Sequence, residues 1–191
     1  LGAQWIGPGQ VRMNALCQEL GVETFPTYHS GRNILDYGGK VRSYKGTIPS
    51  LPPLALLELE LTIRRLEALV REESPDLAAP DQQGRDRMTV GQWLDRHIWS
   101  AHARTTVTAA VRVIYGEEPE SVSLLHFLRY AKAGGTLMQL CEIEGGAQQD
   151  RVVGGMQGLA TQMAGGLGDR LLLSTPVRAV RWDEEGVEMV C

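Results

Sequence analysis

An α+β fold follows from three features of this sequence. Between Leu54 and Ala133, apolar residues recur every three or four positions, the period of helices that bury one face. Near both ends, short apolar runs are broken by glycine or acidic turn signals, as in "RNILDYGGKVRSYKG" and "VRAVRWDEEGVEMVC". The chain has 191 residues, 43% hydrophobic and 22% charged, so it can bury one good core or parts of two.

The opening "LGAQWIGPGQVR" nearly spells a phosphate-binding loop at Gly7-Pro8-Gly9-Gln10-Val11-Arg12. Pro8 has no N–H to offer, and Arg12 stands where a small residue is needed. The stretch reads instead as a turn into a helix, with Pro8 near the first helical position and Val11, Leu16 and Leu20 on one face of Gln10 to Leu20. "VETFPTY" then reads as a strand, and Gly38-Gly39 supplies the positive φ of a tight hairpin turn. These segments and Val152-Val153 are expected to form one strand layer.

From Leu54 to Glu73, Leu56, Leu59, Ile63, Leu66 and Val70 form the inward face of a long helix, with Glu60–Arg64 and Glu67–Arg71 spaced for ion pairs. "SPDLAAPDQQGRDR" reads as a loop. Thr89 to Gln92 has the form of a capping box, with Met88 placed to staple against Trp93. Ala103 to Tyr115 reads as a helix covered on most sides, and Val122 to Ala133 as a core helix closed by Gly134-Gly135, with Phe127 and Tyr130 as packing residues. Arg151 to Val153 reads as a strand and Gly154-Gly155 as a turn. Gln157 to Leu167 then reads as a helix facing inward through Leu159, Ala160 and Met163. Leu171 to Cys191 reads as two or three strands turning at "DEEG". The pattern stops inside a strand and opens without a methionine, so an internal segment of a longer protein is expected.

Composition excludes several classes of function. A net charge of -4 and a pI of ≈ 5.6, with scattered basic residues, give no footprint for nucleic acid. No apolar run approaches the length of a membrane span. Cys17, Cys141 and Cys191 are odd in number and far apart, which fits neither a disulfide framework nor a metal pair and suits a reducing cytoplasm. His97 and His102 are five apart, a spacing that does not align two ligands on one helical face, so they read as structural and no metal site is assigned.

Three blocks carry a family resemblance. "LGAQWIGPGQVRMNALCQELGVETF", "VRVIYGEEPESVSLLHFLRYAKAGGTL" and "GGAQQDRVVGGMQGLATQMAGGLGDRLLLSTPVRAVRW" resemble the central region of flavin-containing amine oxidases, the monoamine oxidase family, in the same order and at similar spacing. From Lys45 to about Arg87 the likeness rests on helix placement alone.

The resemblance implies a portion of an FAD-dependent enzyme that oxidises an amine to an imine, with O2 as electron acceptor and hydrogen peroxide as product. Polyamine, L-amino acid and porphyrinogen oxidases are related alternatives, and a non-catalytic helical interaction module is the competing class. It implies that 1–20 and 154–191 belong to an FAD-binding domain and 21–153 to a mostly helical substrate domain. Gly2, Ala3, Gln4 and Trp5 match a strand passing close to the flavin ring, and Val177 matches a backbone contact to the adenine edge. Val113, Cys141 and Gln148 match positions lining the passage to the flavin. The family's dinucleotide fingerprint, flavin-side lysine and later aromatic pair do not occur in these blocks. The segment alone is therefore expected to hold FAD weakly, to be inactive and to leave the Gly2 to Trp5 stretch unpacked, and no catalytic residue is assigned within it. The implied partners are a small amine and O2, with a homodimer compatible and neither nucleic acid nor membrane expected.

Overall fold

In the computed structural model, which describes residues 3–74 and 80–191, a short strand β1 (Trp5–Ile6) leads into helix α1 (Val11–Glu19). Pro8 and Gly9 form the turn between them rather than the first helical turn, and Gly7 O accepts the Gln10 N–H at 3.1 Å. The inward stripe of α1 runs through Met13, Cys17 and Leu20. Val11 lies about a third of a turn from Cys17 and is 70% exposed, contrary to its expected place on that face.

Strand β2 (Thr24–Pro26) and the hairpin β3 (Asn33–Tyr37) with β4 (Lys40–Tyr44) follow. The expected single strand layer is instead two sheets. β2 pairs antiparallel with β5 (Asp150–Val152), which also pairs with β1, giving the order β1-β5-β2. The β3–β4 hairpin stands apart, turning at Gly38 and Gly39 with φ of 59° and 77°, values that an L side chain rarely adopts. Trp5, at the end of the stretch expected to be unpacked, is paired into the first sheet opposite Arg151, and Ile6 beside it opposite Asp150.

The helical body begins with α2 (Pro53–Glu72), where Pro53 takes the first helical position, which needs no N–H. Leu59, Leu66 and Val70 are buried on its inner face, while Leu56 sits at the margin. Glu60 pairs with Arg64 at 2.7 Å. Glu67 does not pair with Arg71; its Oε1 accepts the Met138 N–H at the start of α7 (Leu137–Cys141).

Residues 74–87 do not form one loop. Positions 75–79 lie outside the described residues, and Pro80–Arg87 is a helix, α3. Proline at its start, Asp81 in the first turn and Arg85 and Arg87 in the last all favour a short helix despite its polar composition. Arg85 also bonds Glu73 at 2.8 Å, which ties α3 to the end of α2.

Thr89 and Gln92 form the expected reciprocal capping box at the start of α4 (Val90–His97), and Met88 and Trp93 lie in the same core. α5 (Ala101–Tyr115) buries only Ala103, Val107 and Val111, one stripe at i, i+4 and i+8, rather than most of its surface. α6 (Leu124–Ala133) is the more enclosed helix, with Leu124, Leu125, Phe127, Leu128 and Ala131 inside. His97 stacks on Trp93 and His102 on Tyr37, so both histidines are packing groups.

The last part departs most from expectation. α8 (Met156–Leu167) buries Leu159 alone; Ala160 and Met163 face outward. Leu171–Leu173 is not a strand but follows a short 3-10 turn, and the hairpin comprises only β6 (Ala179–Trp182) and β7 (Val187–Val190). Ile6, Cys17, Val152 and Leu159 form a small core under the three-stranded sheet, separate from the large core of α2 and α4 to α7.

Glu58, buried on α2, accepts the Trp99 N–H at 2.8 Å and the Ser100 N–H at 2.9 Å, satisfying backbone donors that precede α5. Replacing Glu58 with Ala strands both donors in an apolar site and is expected to cost about 3 kcal/mol in urea unfolding. A loss below about 0.5 kcal/mol would show that water reaches these donors.

Candidate functional site

The central strand β5 carries the site because its two neighbours arrive from the other end of the sequence. Side chains alternate across a strand, so Val152 enters the small core while Arg151 stands on the opposite face. There it lies opposite Trp5 on one side and Phe25 on the other. Its Nη2 donates to Gln4 Oε1 at 3.1 Å, and its guanidinium carbon is 6.0 Å from the centre of the Phe25 ring.

This sheet face forms one wall of a cleft of about 1040 Å³. Ala3, Gln4 and Trp5 line it with Arg151, and the start of α8 adds Gly154 and Gly155. Both glycines have positive φ, and nothing lies within 4 Å of where their Cβ atoms would stand. Bare backbone therefore faces open space there. Helices α5 and α6 add Val113, Ile114 and Tyr130 to the lining, and the turn before β5 adds Gln148.

A second cavity of about 340 Å³ lies between α2, α5 and the loop after β4, and its lining includes Ile48, Ile63, Cys141 and Met138. Val113, Ile114 and Gln148 line both cavities, so the apolar chamber adjoins the larger cleft at these three residues. Val113 occupies that boundary with 60% of its surface exposed. Gln148 is held in place by its Nε2, which donates to Leu140 O at 3.0 Å. Cys141 ends α7, and burial, with smaller contributions from Glu142 and Glu67, pushes its thiol up to about 11.

The structure thus brings Ala3, Gln4, Trp5, Val113 and Gln148 around one cleft and sets Cys141 in the adjoining chamber. Gly2 lies outside the described residues. Val177 lines neither cavity, is 52% exposed and precedes β6 rather than starting it, although Arg178 next to it donates to Val190 O.

Sequence reasoning missed Tyr130, Ile114 and Arg151. Phe127 and Tyr130 share a helix but part company: Phe127 is buried, while Tyr130 is 45% exposed at the cleft wall. Tyr115 holds that ring from behind at a centroid distance of 5.0 Å, stacks on Phe127 at 5.1 Å and donates its hydroxyl to Phe127 O at 2.8 Å. Burial pushes the Tyr115 phenol well above its ordinary range, so it remains a donor. The place of Tyr130 near the end of its helix, just before Gly134-Gly135, was the available signal. For Arg151 it was the alternation with Val152. Among the described residues no group of three or more His, Cys, Asp or Glu is placed to hold a metal.

A family model described as flavin containing amine oxidoreductase matches residues 1–191. A putative flavin-containing monoamine oxidase, AofH, from Mycobacterium tuberculosis is 38% identical over 98% of this chain and 42% of its own length. A probable flavin-containing monoamine oxidase A from Dictyostelium discoideum is 35% identical over 96% of the chain and 41% of its own length. Among solved structures, putrescine oxidase bound to putrescine superposes with a TM-score of 0.87 at 29% identity, and cyclohexylamine oxidase from Brevibacterium oxydans with 0.87 at 28%. Each match covers 99% of this chain and 43% of the other. The chain therefore spans about two fifths of the length of the relatives it matches.

The raised pKa of Cys141 keeps it a neutral thiol at pH 8, whereas Cys191 is exposed at the surface. Iodoacetamide at pH 8 followed by peptide mapping is expected to label Cys191 well before Cys141, with Cys141 labelling rising steeply only above about pH 10. Equal rates at pH 8 would mean that water enters the apolar chamber freely.

Proposed function

We propose, from the premise that this chain belongs to the flavin-containing amine oxidoreductase family, that it is the substrate-facing portion of an enzyme that oxidises an amine to an imine, with O2 as final acceptor and hydrogen peroxide as product. The observation that carries this reading is the meeting of Ala3, Gln4 and Trp5 with Val113 and Gln148 around one large cleft. An amine needs apolar cover for its carbon chain and a few polar atoms to aim its nitrogen. Val113, Ile114 and Tyr130 supply the first, and the Gln148 amide oxygen, left over once Nε2 bonds Leu140, suits the second.

The residues present fit a large planar cofactor. The small side chain of Ala3, the half-buried Trp5 ring and the bare backbone at Gly154-Gly155 leave one wall of the cleft open to close approach. FAD, when bound, supplies the two-electron acceptor that this chain's own side chains cannot provide. The chain's contribution is then to shape the wall, orient the amine and keep competing water out.

In this reading 1–20 and 154–191 belong to the FAD-binding part and 21–153 to the substrate part, with the β1-β5-β2 sheet crossing the first boundary as their shared wall. Gly2 and Val177 remain proposed cofactor contacts through their backbones, by resemblance alone. Weak FAD retention and inactivity of these 191 residues by themselves belong to the same proposal. Three free thiols support a cytoplasmic setting, and no helix among the described residues is long and apolar enough to cross a membrane. The outward Leu54, Leu57 and Leu61 stripe on α2 supports a homodimer.

The whole protein is expected to show visible flavin absorbance and to release peroxide with at least one amine in a screen of primary and secondary amines. A purified protein that takes up no flavin would overturn the proposal. Because Cys141 is compact, Cys141→Phe should narrow the apolar chamber and raise KM for bulky amines about tenfold, with kcat less affected. Unchanged kinetics across small and bulky amines, with the fold intact, would remove Cys141 from the passage.

A further inference from the structure

Among the described residues that line the large cleft, Arg151 is the only one with a charged side chain. Arg151 is exposed, and its contacts hold that charge against the wall. Cross-strand neighbours Trp5 and Phe25 flank it, the Phe25 ring lies within cation–π range, and the partner of its guanidinium is the neutral Gln4 amide. No carboxylate among the described residues pairs with it: Asp150, next along the strand, points to the other face and accepts from Gln149 Nε2 instead. The other polar side chains of the lining, the amides of Gln4, Gln10, Gln148 and Gln157, the Tyr130 hydroxyl and the Trp5 indole N–H, carry no formal charge. The cleft wall is therefore net positive.

We propose that Arg151 is a specificity-determining residue that ranks amine substrates by the charge at their non-reacting end, favouring a carboxylate over a neutral tail and a neutral tail over a second ammonium. This rests on the amine-oxidising reading above and names its substrate class. A like charge in a partly enclosed cleft is penalised and an opposite one rewarded, because protein walls screen less than bulk water does. The same positive field lowers the proton affinity of an incoming amine, favouring the uncharged form that has a lone pair to lose. A neutral amide at this position would leave the wall uncharged and the ranking flat.

A four-carbon series isolates the effect: 4-aminobutanoate, butylamine and 1,4-diaminobutane differ only in tail charge. With the flavin-loaded whole enzyme, kcat/KM is expected to fall in that order, by about tenfold from one end to the other or more. Arg151→Lys should keep the order, Arg151→Gln flatten it and Arg151→Glu invert it. Titration of the same enzymes with the non-reacting butanoate and butyltrimethylammonium, read by perturbation of the flavin spectrum, reports the charge preference without turnover. Tighter butanoate binding that is lost in Arg151→Gln supports the proposal. A diamine used as well as butylamine by the native enzyme, or an order unmoved in both Arg151→Gln and Arg151→Glu, overturns it. Failure to oxidise any amine would count against the amine-oxidising reading instead, and the titration would still decide the charge preference.

Discussion

Strand β5 is only three residues long, yet it is hydrogen-bonded on both edges, to β1 more than 140 positions earlier and to β2. Closing so long a loop carries an entropic cost that grows only slowly with length, and the small core of Ile6, Cys17, Val152 and Leu159 is what opposes it. The pairing register then decides which residues share a face. A slip by one residue would turn Arg151 into the core and Val152 into the cleft. The cleft wall depends on that register, because Trp5, Phe25 and Arg151 meet there only through it.

The helical part of the lining is set by α2 through three carboxylates rather than through apolar contact alone. Glu58 satisfies the donors before α5, Glu67 accepts from the start of α7, and Glu73 binds both Arg85 and Arg129 on α3 and α6. Glu73 has only 1% of its side chain exposed, so losing either arginine would leave part of a buried charge uncompensated. Lys132 adds a bond to the Glu73 carbonyl. Hydrophobic burial is tolerant of small rotations, whereas these bonds are directional. They fix the axial position of α5, α6 and α7, and with it the placement of Val113, Tyr130 and Cys141.

The helical body was legible in the sequence because its helices bury a face against one another, and burial writes a period of three to four into the residues. The capping box at Thr89 and the hairpin turn at Gly38-Gly39 were legible because local chemistry dictates them. α3 was not: a polar segment rich in Asp, Gln and Gly carries no periodic signal, and what holds it are polar contacts to distant residues, Arg85 to Glu73, Gln82 to Arg129 and Asp86 to Ser123. The inward face assigned to α8 presupposed an inside, but within these residues only Leu159 has a core to enter. The expected strand at Leu171–Leu173 failed for a related reason, since an apolar run without a partner edge has nothing to pair with. In the site, Ala3, Gln4, Trp5, Val113, Cys141 and Gln148 were named through resemblance. Arg151 and Tyr130 lay outside it, because their roles arise from cross-strand register and from the end of a helix meeting a cleft, neither of which is a pattern along the chain.

The Gly7-Pro8-Gly9 stretch shows how closely fold and site are joined. Its glycines suggest phosphate binding, yet only one of them is sterically required. A Cβ on Gly7 would stand 2.8 Å from both Ala147 Cα and Gly146 O, whereas Gly9 has nothing within 4 Å. Gly7 is thus a contact glycine: it lets the turn after β1 lie against the backbone that precedes β5. Asn14 reinforces the turn, its Nδ2 donating to Gly7 O at 3.1 Å. Any larger residue at position 7 would push residues 146 and 147 outward and carry Gln148 with them. Gln148 is one of the three residues common to both cavities, so the absence of a side chain at position 7 serves the cleft from a distance, by setting how near the turn after β1 and the loop before β5 can come.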